Sequence, residues 1–356
     1  MRVLPAQINA ALMNPTLLRA FFKGMAGLCL LACFTTAFAA GPAEVHPNAQ
    51  GRANRPEQPA IGAVLERARE AGRKRTYVGT FVVLSANGAM ASSRIWHLSD
   101  AAGQQFERME ALTGAPRLVF RRNNEVTTYL PESRVARSEQ RDSFGLFPHL
   151  SRVPESDLGA FYSVNSVGNE RVAGFDTDVM QLMPRDGLRY GYRLWIERKS
   201  GFAVQLQTID RQGHMLEQAA FSDLQFDAPL RADKMQQAIG NTAGWQLEKL
   251  QRIRTSAETE GWLVRVAVPG FEPMDCYKRS ATAPVGAVQW IFSDGLATVS
   301  LFIEPYGSRP RQEWRSSAGM TQMVGRRVAN DWWVTAIGEV PPQTLDAFAA
   351  SLERRP

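Results

Sequence analysis

Side chains able to carry out catalysis are few in this chain of 356 residues, and they lie far apart. No two of the four histidines have the spacing of metal ligands on one helix: His46, His97, His149 and His214. The motifs H-E-x-x-H and G-x-S-x-G and the P-loop are absent from the sequence. His97 follows Trp96 in a strand pattern, where a structural hydrogen bond is a better interpretation than a general base, which also needs a partner. We therefore predict that the chain is not an enzyme and has neither a metal site nor a cofactor.

The remaining reactive groups favour structural roles. Asp294 and Glu304 flank a hairpin pattern in which Asp294-Gly295 separates two apolar runs, so a turn or solvated role is expected of both carboxylates. Cys29 and Cys33 lie in the first 39 residues, which leaves Cys276 alone in the rest of the chain and excludes an intrachain disulfide there. We interpret Cys276 as a small buried apolar residue rather than a redox sensor.

Residues 1–39 predict a secretory signal peptide. Arg19 and Lys23 precede an apolar run that is too short for an ordinary membrane-spanning helix. Ala37-Phe38-Ala39 then offers small residues at the positions that signal peptidase requires, so cleavage is expected near Ala39. Lipidation of Cys33 is the less favoured alternative, because the Leu two positions before it fits a lipoprotein site poorly.

The charge balance argues against nucleic acid as a partner. The net charge of +6 falls to +3 when residues 1–39 are removed, because they hold Arg2, Arg19 and Lys23 and no acidic residue. The remaining charges of both signs are interspersed, whereas a dedicated nucleic-acid binder needs a concentrated basic face.

Hydrophobic periodicity predicts a long antiparallel meander after one short helix. Residues 40–58, rich in Gly, Pro, Asn and Gln, are expected to form a flexible leader, and a helix face of Ile61, Val64, Leu65 and Ala68 follows. Period-two runs between turn residues predict strands at 77–84, 93–98, 105–112, 118–122, 125–130, 161–167, 177–183, 188–197, 202–209 and 215–226. The proline-containing stretch 131–160 is expected to be a covering insertion rather than a strand.

A second β-rich region follows a connector at 227–243 that is partly helical. Its predicted strands are 262–268, 286–292, 298–304 and 332–340, and a helix over 342–353 closes it. About 316 residues remain after signal cleavage, which favours two domains. We place them at 59–226 and 244–356.

Both faces of the first predicted strand, Tyr77–Leu84, are apolar. A strand that lines a ligand cavity would have this pattern, and so would a strand in an ordinary two-layer core; the pattern alone does not separate them. In the second region, Trp332 and Trp333 are adjacent on a strand pattern and therefore face opposite ways, which could leave one of them exposed for a partner.

Several ordered segments resemble the MucB/RseB family of periplasmic regulators. In the first region they are Tyr77-x-Gly79-Thr80-Phe81, Arg94-x-x-His97-x-x-Asp100-x-x-Gly103, Glu107-Arg108, Leu112-x-Gly114, Arg171-Val172-Ala173-Gly174, Arg189-Tyr190-Gly191-Tyr192-x-Leu194-Trp195 and Gly213-x-x-x-Glu217. In the second region they are Ser293-Asp294-Gly295-Leu296-Ala297 and Gly338-Glu339-Val340-Pro341. Their order and spacing make the set specific.

The resemblance implies an α+β fold that is mostly antiparallel β: a large half-barrel domain similar to LolA and LolB, and a smaller C-terminal domain of β-sheet and helix. It implies a periplasmic protein that binds the periplasmic segment of a membrane-spanning anti-sigma factor and shields it from regulated proteolysis. Lipid or lipopolysaccharide in the half-barrel would release the partner. A periplasmic lipid or lipoprotein carrier is the alternative function, and apolar surfaces leave a homodimer open.

Strand alternation supplies candidate residues for both sites, although a register slip of one residue would invert the facing. For the lipid cavity the candidates are Phe81, Val83, Trp96, Met109, Phe120 and Tyr129. For the partner-binding surface they are Trp290, Phe302, Trp332 and Trp333.

Overall fold

The protein consists mainly of antiparallel β-sheet, as the sequence predicts. The computed structural model describes residues 61–140, 155–237, 243–250, 252–279, 287–307, 311–329 and 331–355. Within these residues the chain forms two large sheets, a two-stranded ribbon and four helices. The predicted signal peptide, its cleavage site, Cys33 and the leader lie outside the described residues. No helix in the described part of the chain is long and apolar enough to cross a membrane.

The first sheet has twelve strands in the order β12-β6-β5-β4-β3-β2-β1-β11-β10-β9-β8-β7. Their bounds are β1 Tyr77–Ser85, β2 Met90–Ser99, β3 Gln105–Ala111, β4 Leu118–Arg122, β5 Glu125–Leu130, β6 Val135–Gln140, β7 Tyr162–Val172, β8 Phe175–Pro184, β9 Gly191–Glu197, β10 Ala203–Ile209, β11 Met215–Phe226 and β12 Gln246–Leu250. Neighbours are antiparallel except β12 and β6, which are parallel. In the described part of the chain the end strands β7 and β12 do not pair with each other, so the sheet is open.

The second sheet has seven strands in the order β13-β15-β16-β17-β20-β19-β18. The strand bounds are β13 Arg252–Thr255, β15 Glu272–Arg279, β16 Val288–Ser293, β17 Thr298–Pro305, β18 Trp314–Ala318, β19 Thr321–Val328 and β20 Trp332–Gly338. The ribbon pairs β14 Trp262–Val264 with β21 Leu352–Arg354. All neighbouring strands of the second sheet are antiparallel, as expected for strands joined by short turns.

Four helices pack on these sheets: α1 Ile61–Lys74, α2 Glu155–Phe161, α3 Ala232–Gln237 and α4 Pro342–Ser351. Helix α1 buries Leu65 and Ala68, two residues of the predicted face, and ends on Arg73 and Lys74, whose charges suit the negative end of the helix dipole. Helix α4 buries Leu345, Phe348 and Ala349 in the core of the second sheet.

Some elements differ from the prediction. Strand β6 lies inside the stretch 131–160, where a covering insertion is expected, and it pairs antiparallel with β5, from Val135 opposite Leu130 to Gln140 opposite Glu125. The first strand after the connector, β12, pairs with β6, so the chain returns to the first sheet before it enters the second at β13. The division into domains at 59–226 and 244–356 stays a prediction.

Strands β1 and β11 approach each other closely at Gly79, so a substitution there tests how tightly the two strands pack. A Cβ at position 79 would lie 2.7 Å from the carbonyl oxygen of Asp223 and 2.8 Å from the ring of Phe221, both on β11. We expect Gly79→Ala to lower the free energy of unfolding by about 1–3 kcal/mol, because a backbone oxygen and a buried ring have little room to move. Urea unfolding of the chain from residue 40 would measure it.

Gly72, in helix α1, is the matched control, because a Cβ there meets nothing within 4 Å. Gly72→Ala should raise the free energy of unfolding by about 0.5–1 kcal/mol, since alanine costs less backbone entropy in a helix than glycine. Equal effects of the two substitutions would contradict this account of strand packing.

Candidate functional site

The six predicted cavity residues lie in two clusters on opposite faces of the first sheet. Met109 is opposite Ile95 and Val119, and Phe120 is adjacent to Val119 on β4, so Met109 and Phe120 point to different faces. Three of the predicted residues, Phe81, Val83 and Met109, belong to a buried group that we call the inner cluster. Its other members here are Ile95, Val119 and Val126. The other three, Trp96, Phe120 and Tyr129, belong to a group that we call the outer cluster. They pack there with Phe106 and with Met235 of α3.

The outer cluster has a buried centre of Phe106, Phe120 and Met235, and its half-buried members Trp96 and Tyr129 lie at its border. The guanidinium of Arg108 lies 4.4 Å from the centroid of the Trp96 ring, and Arg108 also pairs with Glu110 at 2.9 Å. Tyr129 makes an edge contact with Trp245, with centroids 5.7 Å apart. Strand register places Trp96, Phe120 and Tyr129 on one face of the sheet, opposite to the inner cluster.

Buried polar side chains on neighbouring strands border one side of the inner cluster. His97 is 2% exposed, its Nδ1–H donates to the carbonyl of Arg75 at 2.9 Å, and its ring stacks on Tyr77. Burial lowers the pKa of His97 to about 4. Glu107 lies opposite His97 and Arg121, and burial raises its pKa to about 6. The inner face is therefore apolar at its centre and polar at one border, and His97 has a structural bond.

The four predicted partner-binding residues also divide between two faces, here of the second sheet. Trp290 and Trp332 pack against the core that helix α4 covers. Phe302 is opposite Gln289 and Thr335, and Trp333 is opposite Glu304, so both point to the other face. Of the two adjacent tryptophans, Trp333 is 2% exposed and Trp332 is half-buried, so neither is fully exposed.

The face that carries Phe302 is the more open one, and we call it the open face. Phe302 is half-buried there. Trp314 on the edge strand β18 is opposite Gly325, and a side chain at position 325 would collide with the rings of Trp314 and Trp333. A groove of about 330 Å³ at the edge strand β18 is lined by Glu313, Trp314, Arg315, Val324, Gly325, Arg326 and Asp346. Because Val324 belongs to the core that α4 covers and Asp346 lies on α4, the groove spans the edge of the sheet and not the open face alone.

The two sheets meet at a buried charged network that we call the junction. Arg189, just before β9, is fully buried, and its Nε lies 3.2 Å from Oδ2 of the equally buried Asp294 in the β16–β17 turn. The hydroxyl of Tyr162 donates to the same oxygen at 2.8 Å. Arg189 also donates to the carbonyl of Pro269 at 2.5 Å, and its guanidinium lies 4.4 Å from the centroid of Phe161.

The burial of Asp294 corrects the expectation of a solvated turn residue. Its Oδ1 accepts the amide N–H groups of Leu296 and Ala297 at 2.9 and 2.7 Å, so the turn role is present. The turn, however, is inserted against the first sheet, and burial raises the pKa of Asp294 against the effects of these amides and of Arg189. Glu304 is half-buried and forms an ion pair with Arg311.

Helix α4 adds a second set of bonds at the junction. The hydroxyl of Thr344 donates to the carbonyl of Leu188 at 2.6 Å. The side-chain amide of Gln343 donates to the carbonyl of Gly187 at 2.7 Å. The first turn of α4 therefore fixes the loop that leads into Arg189.

A third contact joins Glu217 of β11 to the turn between β18 and β19. A Cβ at Gly319 would collide with Oε2 of Glu217, and the amide of Met320 donates to the Glu217 carboxylate. Glu339, just after β20, is close enough to Glu217 for the two carboxyl groups to repel each other. Sequence patterns did not single out these carboxyl groups as neighbours, although both belong to segments that resemble the family.

Two open sheets, an aromatic face and a polar junction define a two-module β-sheet binding protein. Among the described residues no group of three or more His, Cys, Asp and Glu side chains could hold a metal ion. Cys276 is buried, and burial raises the pKa of its thiol to about 11.

Comparison with protein families identifies the two modules. Residues 60–239 match the MucB/RseB N-terminal domain, and residues 256–353 match the MucB/RseB C-terminal domain. The chain belongs to the MucB/RseB family, as the resemblance predicts.

Named relatives in this family are regulatory proteins. The chain is 31% identical over 293 residues to the sigma factor AlgU regulatory protein MucB of Pseudomonas aeruginosa, which covers 81% of this chain and 89% of that protein. It is 25% identical over 313 residues to the sigma-E factor regulatory protein RseB of Salmonella typhimurium, covering 85% and 93%. A crystal structure of MucB in complex with MucA(peri) is 27% identical, with a TM-score of 0.64 over 83% of this chain and 98% of that one.

The junction should contribute strongly to stability. We expect Asp294→Ala to lower the free energy of unfolding by about 3–5 kcal/mol, because it removes the buried carboxylate beside Arg189 and leaves only the partly exposed Asp186, 3.5 Å away. Urea unfolding at pH 7 is the measurement. Asp178→Ala is the matched control: it removes an exposed ion pair with Arg198 and should cost no more than about 1 kcal/mol. A similar small loss for both would show that the junction is not a stabilising contact.

Proposed function

We propose that this protein is a periplasmic negative regulator of an envelope-stress sigma factor. It binds the periplasmic segment of a membrane-spanning anti-sigma factor and shields that segment from the protease that starts regulated proteolysis. The observation that carries the proposal is the match of both modules to one family, in which a relative has been solved in complex with MucA(peri). The predicted signal peptide at residues 1–39 agrees with a periplasmic location.

We assign the partner-binding surface to the open face of the second sheet. Helix α4 covers the other face, so Trp290 and Trp332 serve its core. Phe302 and the groove beside Trp314 and Gly325 offer a half-buried aromatic ring next to arginine and carboxylate groups. Binding hot spots combine an aromatic anchor with a polar rim in this way.

The proposal is tested by protection of the anti-sigma factor. The purified periplasmic segment of the cognate anti-sigma factor is digested by its first protease with and without this protein. We expect cleavage to slow in proportion to occupancy, and an unchanged cleavage rate would contradict the proposed function.

A single variant then locates the surface. Phe302→Ala should weaken binding of the same segment at least tenfold, because loss of a hot-spot ring costs about 2 kcal/mol or more. Isothermal titration calorimetry measures the change. Phe175→Ala, which removes another half-buried phenylalanine from the first sheet, should leave affinity within about twofold. Equal losses of affinity in the two variants would contradict the assignment of the partner-binding surface to the open face.

We also propose that an acyl chain bound by the first sheet weakens partner binding. The two predicted sets lie on opposite faces, so one acyl chain contacts the inner or the outer cluster, not both. A ligand that favours one arrangement of the modules opposes a partner that favours the other, and this coupling is reciprocal.

A monoacyl phospholipid titrated into the preformed complex should lower partner affinity by about 5–150-fold, the usual range of coupling between two sites. The same headgroup without its acyl chain is the control and should have no effect. Fluorescence anisotropy of a labelled partner segment is the readout. Full affinity at saturating lipid would exclude this mode of release while leaving the partner-binding proposal intact.

A further inference from the structure

Two carboxyl groups lie near enough to repel each other where the sheets meet, Glu217 and Glu339. Glu217 on β11 is 4% exposed. Its carboxylate accepts a bond from the hydroxyl of Ser85 at 3.3 Å and one from the amide of Met320. Glu339 comes from the second sheet and repels Glu217. In the described part of the chain, neither carboxyl group forms an ion pair with Lys, Arg or His.

The groups packed around this pair do not supply a positive charge. The first sheet contributes Ser85 of β1 and Thr208, which lies opposite Glu217 on β10. From β9 it contributes the phenol of Tyr192, whose pKa the Glu339 charge helps to raise. The second sheet contributes the turn with Gly319 and Met320. Arg189 acts on Tyr192 and pairs with Asp294, so it already has its anion.

Two ionised carboxylates in such a place are costly. Glu217 loses its water on burial, Glu339 is half-buried beside it, and the two charges repel each other, so the pair is most stable when it holds at least one proton. Burial raises the pKa of Glu217 to about 7, and burial followed by repulsion from Glu217 raises that of Glu339 to about 8. The two protons are coupled, so these values belong to the pair.

We propose that Glu217 and Glu339 form a proton-binding site that couples the docking of the second sheet on the first sheet to pH. The docked arrangement holds protons between the two carboxyl groups, and separation of the sheets exposes them to water and releases those protons. Acid therefore favours docking and alkali favours separation. Only the consequence for partner binding rests on the proposed function, because docking itself involves one chain.

The direction and range of the effect follow from linkage. Below the ordinary pKa of 4.5 both groups are protonated in either arrangement, and docking is at its strongest. Between 4.5 and about 8 docking weakens as pH rises, by up to about tenfold per pH unit for each proton released. Above about 8 both groups are ionised in both arrangements, and the effect levels off.

The experiment measures the separation of the sheets directly. Spin labels are placed at two exposed turn positions, Asn124→Cys on the first sheet and Glu258→Cys on the second, in the chain from residue 40 with Cys276→Ala. Pulsed electron–electron double resonance measures the distance between the labels and gives the ratio of separated to docked molecules from pH 5 to pH 9. We expect this ratio to rise at least tenfold across that range.

Neutral variants decide whether the pair is responsible. Glutamine keeps the shape and the acceptor oxygen but carries no charge, so Glu217→Gln with Glu339→Gln should hold the low-pH ratio at every pH. Glu132→Gln, at an exposed turn position, should keep the wild-type slope. A flat wild-type profile, or an unchanged slope in the double variant, would overturn the proposal.

A single variant covers the case in which the double variant is misfolded by near-ultraviolet circular dichroism. Glu339→Gln removes the repulsion on Glu217, so the midpoint of the remaining transition should move to lower pH. An unmoved midpoint would overturn the proposal. These measurements need no anti-sigma factor, so their failure is distinct from failure of the protection assay.

Discussion

The contact on which the arrangement of this protein depends is the buried ion pair between Arg189 and Asp294. Each sheet has its own apolar core, but the charges of this pair lie between the sheets and are fully buried. A buried guanidinium and carboxylate are tolerable only when each compensates the other and further bonds satisfy the remaining atoms. Tyr162 and the amides of the Asp294 turn donate to the carboxylate. Arg189 donates to Pro269, while its Nε and Nη1 are held by charge attraction without a hydrogen bond to the described residues.

The polar bonds of the junction specify how the two sheets dock, but they do less to prevent the sheets from separating. Polar interfaces inside a chain resemble transient protein–protein contacts, because water can replace the bonds that separation breaks. The bonds from Thr344 and Gln343 to backbone carbonyls have this property. Apolar contacts also cross the junction, because Leu296 in the β16–β17 turn packs in an apolar cluster of the first sheet. Separation of the sheets would therefore expose Leu296 as well as break the polar bonds.

Hydrophobic alternation predicts most of the first sheet, because its strands are long and separated by glycine-containing turns. The predicted bounds of β4, β5 and β11 are those of the structure. The edge strand β18 exposes three of its five residues and has little apolar pattern to detect. Alternation within one strand also gives no register between strands, and Met109 and Phe120, both predicted for one cavity, lie on opposite faces of the sheet. The burial of Asp294 depends on long-range packing that a local turn pattern does not contain.

The segments by which the chain resembles its family meet in space. Arg189, Glu217, Asp294 and Glu339 come from four of them, and all four side chains lie at the junction. A sheet core accepts many apolar side chains of the right size, whereas a buried charge needs a particular partner in a particular place. The junction therefore restricts sequence more tightly than either core does. The sheets are also joined by an ion pair between Arg252 of β13 and Glu139 of β6 at 2.9 Å, so a ligand on one sheet could change the position of the other through either contact.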